Sequence, residues 1–571
     1  MSQDNQKLNI DVLDVSQCSY AERVSAAALQ GLVNREGPKL FLDYGIYDDP
    51  LARRTNEVFL DDEIWYGKYR DLLGAQDQRN LAYYVKVHVA SSHMFKDLSA
   101  AVEKYRGSLH GCVLWDAALP DTVNVALMLA AQEGLLPVEA SNLAWAGQLG
   151  LKVVHDLHGR WNDRLSLYQW AFTEFLPKCE AGRIACIEPD WQRPEFLDYL
   201  VQHKIFIFNL SSQQKGLGST LLLLLAFGPA WLRELLFALR LDGPIRRLGL
   251  NWMGRHSPEI HLNNQIQRAV KSPQYPTIFG WHTRRDDELA FMLLLSANGL
   301  RLVPTHLASN FSFHSQVHPL GPVVPVALPA VPELDPQGIY LTFTLSDGDQ
   351  LMMMSTAEMG NWYSVQRGQV AFNWETQPLL SEIATALLEK FQRSATPADC
   401  LIAGPSGAGY IVPPLAPDLP AYMRETDRVC GLARINVVTS YVPDPPRRVL
   451  REIAHQSQGR LNFLAGYAIL ERAPQHMIEN TVIIANQMPK VDQLWIKAED
   501  LLASIKACIE TPAEKPRFVG VHLFAYRTAF DDVVKFAKEL EDPHIHIVRA
   551  DTFLELARLH FQTPSKRSDI S

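Results

Sequence analysis

Four carboxylates stand where strands end or helices begin: Glu288, Asp347, Asp349 and Glu375. Asp347 and Asp349 lie in Ser346-Asp347-Gly348-Asp349-Gln350, and Glu375 closes Asn373-Trp374-Glu375. Near them in the pattern come Trp281, Trp374 and Tyr410, with Gly409, Asn310 and His522. Flat aromatic rings stack on the apolar faces of sugars, while carboxylates and amides bond hydroxyls. Hydrolysis of a glycosidic bond needs two carboxylates, one giving a proton and the other acting as nucleophile or base, roughly 5–9.5 Å apart. The candidate catalytic set is therefore Asp347, Asp349, Glu288 and Glu375, and the candidate substrate-binding set is Trp281, Trp374, Tyr410, Gly409, Asn310 and His522. Asp347 and Asp349 share a face if the backbone there is extended. The sequence does not choose the pair.

Each of these residues also has a plain structural reading. Asp-Gly-Asp is a common turn. Glu288 beside Asp286 and Asp287 suits the first turn of a helix. Trp281 and Trp374 are of the type that fills cores, and His522 has apolar neighbours.

Other chemistries fit less well. A metal-dependent hydrolase or deacetylase would gather Asp347 or Asp349 with His282, His306, His314 or His522, but no His-Glu-x-x-His is present. The expected metal and cofactor sets are both empty. Ser406 fails as a nucleophile-elbow serine, because Pro405 precedes it and Ala408 stands where the second glycine belongs. Asp347-Gly348-Asp349 lacks the spaced oxygens of a calcium loop.

The elements that would position these residues are those of an α/β chain. Asn9–Val15, Ala21–Val33 and Lys39–Tyr44 read as β-α-β, and the alternation continues through Leu81–Val87, Gly111–Trp115, Thr122–Glu133, Ile184–Ile187 and Ile205–Asn209. No G-x-G-x-x-G follows the first strand, so no dinucleotide site is expected. Residues 1–210 are predicted to form a Rossmann-like α/β domain and 211–270 a helical connection. Residues 271–562 are predicted to form a TIM-like β/α barrel, regular or irregular, with a disordered tail at 563–571. In that second part the expected strands are Thr277–Gly280, Leu300–Pro304, Gly338–Leu345, Gln369–Phe372, Leu401–Ala403, Ile435–Thr439, Val482–Ala485, Phe518–Leu523 and His544–Val548. An open doubly wound sheet is the alternative. In a barrel the ligand site lies at the C-terminal ends of the strands, where the candidate residues stand.

Composition sets the outer limits. The chain has 571 residues, a net charge of −9 and no basic cluster beyond pairs, which argues against nucleic-acid binding. Seven scattered cysteines without a C-x-x-C and a polar N-terminus predict a reducing, cytoplasmic setting. Leu221–Leu239 is very apolar but broken by Gly228-Pro229 and by Arg233 and Glu234. It predicts helices, with a protein or membrane contact as the sharper reading and no transmembrane span.

Several motifs, taken in order, carry a resemblance. They are Ala28-Leu29-Gln30-Gly31-Leu32-Val33-Asn34-Arg35, Gly280-Trp281 with Glu288, Asn310-Phe311-Ser312, Ser346-Asp347-Gly348-Asp349, Asn373-Trp374 with Pro378, and Gly407-Ala408-Gly409-Tyr410-Ile411-Val412-Pro413. Over roughly residues 10–560 the chain resembles the GxGYxYP putative glycoside hydrolases. The resemblance implies an N-terminal α/β domain, a C-terminal barrel-like domain with the signature at its pocket, and carbohydrate hydrolysis. It carries over Trp281, Glu288, Asp347, Asp349, Gly409 and Tyr410. The chain departs from the family at Val412, where the signature has a second tyrosine, at Gln350, and in showing no export signal. The expected function is thus a glycosidase acting on a carbohydrate or sugar conjugate. The alternatives are a non-catalytic binding or assembly protein on the same scaffold and a metal-dependent hydrolase.

Overall fold

The computed structural model describes residues 7–45, 76–189, 196–213, 215–272, 274–305, 308–319, 321, 330–345, 361–404, 406–442, 444–457, 462–465, 475–488, 496–523 and 528–562. Asp347, Asp349, His306 and the tail at 563–571 lie outside them. The first helix, α1 (Tyr20–Val33), begins where the sequence signals it. Ser19 and Glu22 close a capping box, each side chain accepting the other's backbone N–H. The alanines of α1 are fully buried, which lets its neighbours pack close.

The first ten strands form three parallel sheets. Strands β1 (Leu8–Asp14), β2 (Leu40–Asp43) and β3 (Val89–Phe95) run in the order β2-β1-β3. Strands β4 (Gly111–Trp115), β5 (Leu135–Glu139) and β6 (Val153–Asp156) run β5-β4-β6. Strands β7 (Arg183–Cys186), β8 (Phe206–Phe208), β9 (Thr277–Gly280) and β10 (Arg301–Pro304) run β10-β9-β7-β8. Two expectations change here. Leu81–Val87 is the end of a helix, Gln76–Val87, rather than a strand. Strands β9 and β10, which the sequence groups with the C-terminal part, extend the sheet of the preceding unit, β9 pairing with β7 and β10 with β9.

The C-terminal sheet starts at β11 (Ile339–Leu345). It continues through β12 (Phe372–Thr376), β13 (Asp399–Ala403), β14 (Val437–Ser440), β15 (Asn462–Ala465), β16 (Gln475–Ile478), β17 (Thr481–Ala485) and β18 (Arg517–Leu523), and β19 (Ile545–Ile547) pairs with β11. The order is β16-β17-β15-β14-β13-β12-β11-β18, parallel except for β16. The sheet returns on itself just beyond β17. Gln487 N–H donates to Gly520 O at 2.8 Å, His522 N–H donates to Met488 O at 2.8 Å, and Met488 bridges Val521 in parallel.

Because strand side chains alternate, this sheet has two unlike faces. Leu341, Phe343, Phe372, Trp374, Val438 and Val519 join the main core under the flanking helices. Tyr340, Cys400, Ile402, Val437, Val482, Ile484 and Phe518 surround one helix, Ala550–Gln562, through its Ala550, Phe553, Leu554, Leu556 and Ala557. That helix fills the N-terminal half of the concave face. The C-terminal half is left to polar residues.

Between the two parts lie α2 (Leu217–Phe227), α3 (Ala230–Ala238) and α4 (Asp242–His256). Helices α2 and α3 are bent by 94° at the Gly228-Pro229 break. No single helix among the described residues is long and apolar enough to cross a membrane.

Candidate functional site

Two groups of candidate residues gather at the C-terminal ends of strands. The first is a rim between β9 and the loop after β13. Strand β9 ends in Gly280 at φ +102°, where a Cβ would lie 1.9 Å from Cys186 O. Only glycine fits, and the close approach sets the half-buried Trp281 at the strand end. Asp287 then caps α5 (Glu288–Asn298), its Oδ1 accepting Ala290 N–H, so Glu288 is the first residue of that helix. From the other side comes Tyr410. Its backbone exchanges two hydrogen bonds with Leu302, of 2.7 and 2.9 Å, and its hydroxyl donates to Glu288 Oε1 at 2.6 Å. Its ring meets Tyr441 edge-on, centroids 5.0 Å apart.

The glycines of the signature loop allow this placement. Gly409 has φ +105°, and a Cβ there would stand 3.0 Å from both Arg301 Cδ and Leu302 O. Gly407, at φ +128°, would clash with Thr426. Gly409 therefore shapes the loop. Ser406 is buried, donates to Ile411 O at 2.9 Å and accepts Tyr441 N–H at 3.2 Å. It is a loop staple. Val412, where the signature has tyrosine, is fully buried beside Ile411 and donates its N–H to Ser296 Oγ.

The second group is a buried layer on the concave face. Thr342, Thr344, Asn373, Glu375, Thr439, Asn486 and His522 come from β11, β12, β14, the segment after β17, and β18. Asn373 Nδ2 donates to Thr342 Oγ1, Phe343 O and Thr344 Oγ1, and its Oδ1 accepts Ala550 N–H at 2.7 Å. Asn486 Nδ2 lies 3.3 Å from His522 Nδ1. Burial pushes the His522 imidazole down to about 3, so the ring is neutral near pH 7. Glu375 is 1% exposed and His522 2%.

The structure brings Trp281, Glu288, Gly409 and Tyr410 to one place, and Glu375 and His522 to another. It places two candidates in internal structure. The sequence places Trp374 after a strand, but the strand runs on to Thr376. The side chain therefore faces the core, donating to Asp399 at 2.9 Å and stacking on Phe530. Asn310, at φ +60° and fully buried, is a clamp between chain segments. It accepts from Gln30 Nε2 and Leu42 N–H and donates to Leu42 O and Asp77. The N-terminal motif around Gln30 and Asn34 thus meets the Asn310–Ser312 motif as internal structure.

Of the donors in the metal reading, Asp347, Asp349 and His306 lie outside the described residues, and two others stand apart. His314 bonds Tyr84 in the N-terminal part, while His522 lies in the concave layer. Among the described residues no three His, Cys, Asp or Glu side chains form a metal-holding group.

Sequence reasoning missed the acids behind Trp281. Burial pushes Glu188, Asp286 and Glu259 up from the usual carboxylate range. Asp286 accepts from Ser211 Oγ and Ser212 N–H, Glu259 accepts Ser211 N–H, and Glu188 accepts Arg284 N–H. Glu188 and Asp286 follow the ends of β7 and β9, and that position was the available signal. Glu188 and Glu259 are also ion-paired, with Arg284 at 3.1 Å and with Arg164.

Comparison with known proteins gives two family-model matches. The model described as GxGYxYP putative glycoside hydrolase C-terminal domain matches residues 337–558, and the GxGYxYP_N second domain matches residues 109–179. A crystal structure of a putative hydrolase from Bacteroides thetaiotaomicron VPI-5482 superposes with a TM-score of 0.71 at 15% identity, over 97% of this chain and 95% of that one. At this identity the likeness concerns the fold. No curated protein matches the chain.

Proposed function

Since the chain belongs to the GxGYxYP family, we propose that it hydrolyses a glycosidic or related bond in a carbohydrate or sugar conjugate. The observation that carries this reading is the 2.6 Å bond from Tyr410, the signature tyrosine, to Glu288. It joins a carboxylate and a phenol, and Trp281 stands at the end of β9, seven residues before Glu288 in the chain. In this reading Trp281 and Tyr410 form the walls against which a sugar ring stacks. Glu288 is one carboxylate of the pair, and Asp347 or Asp349, which follow β11 in the sequence, is the other. Glu375 acts from below through the buried layer.

The functional reading takes the C-terminal sheet as an irregular β/α barrel following a Rossmann-like part. The strand order and the Met488–Val521 bridge support it. A cytoplasmic setting belongs to the proposal, in keeping with seven unbridged cysteines.

The test is a broad glycan-hydrolysis screen of the purified full chain beside Asp347→Asn and Glu288→Gln. The expected result is hydrolysis that falls by about 100-fold or more in either variant. Equal turnover in all three proteins would reject both assignments. A non-catalytic binding protein is the second reading. The near-complete burial of Glu375 and His522 favours it, because a sealed acid does not reach a scissile bond. Glycan binding without turnover, lost in Trp281→Ala, would select it.

A further inference from the structure

Helix α3 is amphipathic in the reverse of the usual sense. Its charged residue Arg233 points inward and is 6% exposed, donating to Gly228 O, Ala226 O and Asp444 O. Its outward stripe, at four-residue spacing, is Trp231, Leu235 and Leu239, which are 71%, 48% and 59% exposed. Leu241 and Leu248 extend the exposed apolar surface onto α4 and its entry. Single exposed leucines are ordinary on a protein surface. Here six of the 16 exposed large apolar side chains described fall between Leu217 and Leu248, so this stretch stands apart.

The charge around the stripe selects the occupant. Leu217–His256 carries five arginines against Glu234 and Asp242, and with Arg233 turned inward, Arg240, Arg247 and Arg255 are the exposed ones. Both acids are engaged internally. Glu234 accepts the N–H of Arg447 at the start of a helix, and Asp242 pairs with Arg448 at 3.2 Å. Arg240 and Arg247 are exposed, at the end of α3 and on α4. An apolar stripe opened by tryptophan and flanked by exposed arginines is the composition of a surface that lies in a bilayer interface. The opposite sign of the remaining chain favours this surface as the one that meets anionic lipid.

We propose that α3, with Leu241 and Leu248, docks in the headgroup region of an anionic lipid bilayer, as a peripheral attachment that does not span it. Trp231, Leu235 and Leu239 enter the interface, and Arg240 and Arg247 meet lipid phosphates. This inference is independent of the hydrolytic reading.

The test is flotation of the full chain with phosphatidylcholine vesicles, with and without phosphatidylglycerol, beside Trp231→Ser/Leu235→Ser and Arg240→Gln/Arg247→Gln. The expected result is binding to the phosphatidylglycerol vesicles that weakens with added salt. The apolar variant should lose about tenfold or more in affinity, and the arginine variant should lose the preference for anionic lipid. All four positions are exposed, so both variants should keep the wild-type circular dichroism. Failure to bind phosphatidylglycerol vesicles, or equal binding to both compositions, would overturn the proposal. So would concentration-dependent self-association that the apolar variant abolishes, since the occupant would then be a second copy.

Discussion

The rim and the buried layer each hold a candidate carboxylate, Glu288 in one and Glu375 in the other, but obey different rules. At the rim, Glu288 is half-buried and tied to the rest of the fold by the hydroxyl of Tyr410. In the layer on the concave face, Asn373 alone makes four hydrogen bonds to two elements, and Glu375 and His522 are shut from water. A polar group in the layer is held because leaving it unpaired would cost the full desolvation of that group. At the rim, water can replace a lost partner. The difference separates residues whose removal should unfold the protein from residues whose removal should alter only its chemistry.

Four substitutions and a titration test that separation. Asn373→Ala should have the largest effect, about 3 kcal/mol of lost stability in urea unfolding, because it strips partners from Thr342, Thr344 and the first N–H of the plug helix. Gly409→Ala should cost about 2 kcal/mol, from a positive φ combined with the close approach of Arg301 and Leu302. A loss as large as that of Asn373→Ala would place the loop with the sealed layer. Tyr410→Phe should cost about 1 kcal/mol. Glu288→Gln should change stability by less than about 0.5 kcal/mol while removing activity on any substrate found. If it unfolds the protein instead, the distinction between the two regions fails.

The titration concerns His522, whose folded value of about 3 lies below its ordinary 6.5. Between those values the unfolded chain binds the extra proton, so the neutral buried ring's contribution to stability is complete above about pH 6.5 and is lost as pH falls toward 3. Replacing His522 with glutamine should flatten the acid limb of the stability–pH curve. An unchanged limb would mean that the ring is already hydrated in the folded state.

Much of the fold was legible because helices and buried strands carry strong local patterns. Helix α1 with its capping serine, Thr122–Glu133 ending at Gly134, and β11 all form within a residue or two of their predicted bounds. The errors have physical reasons. Strand β3, Val-Ala-Ser-Ser-His-Met-Phe, has five exposed central residues and little apolar signal, while the apolar and aromatic run just before it folds as a helix. Strand β12 contains Asn373 and Glu375, whose polarity reads as the end of a strand until the partners that satisfy it are known. The motif residues Trp281, Glu288 and Tyr410 were legible as candidates. The contact that joins Glu288 to Tyr410 spans 122 residues and has no local signature. Glu188 and Asp286 were passed over because single acids acquire their character only from burial.

The helix Ala550–Gln562 has a consequence for how the chain acquires its shape. Asn373 waits for a backbone group 177 residues further along, and among the described residues the apolar side chains of five strands pack on this helix. A domain whose central contacts are so distant in sequence closes late and slowly. While Ala550–Gln562 is still in the ribosome, the strands already made expose a greasy hollow and unpaired edges. This stage of synthesis is when the protein is most vulnerable to aggregation and most in need of a chaperone.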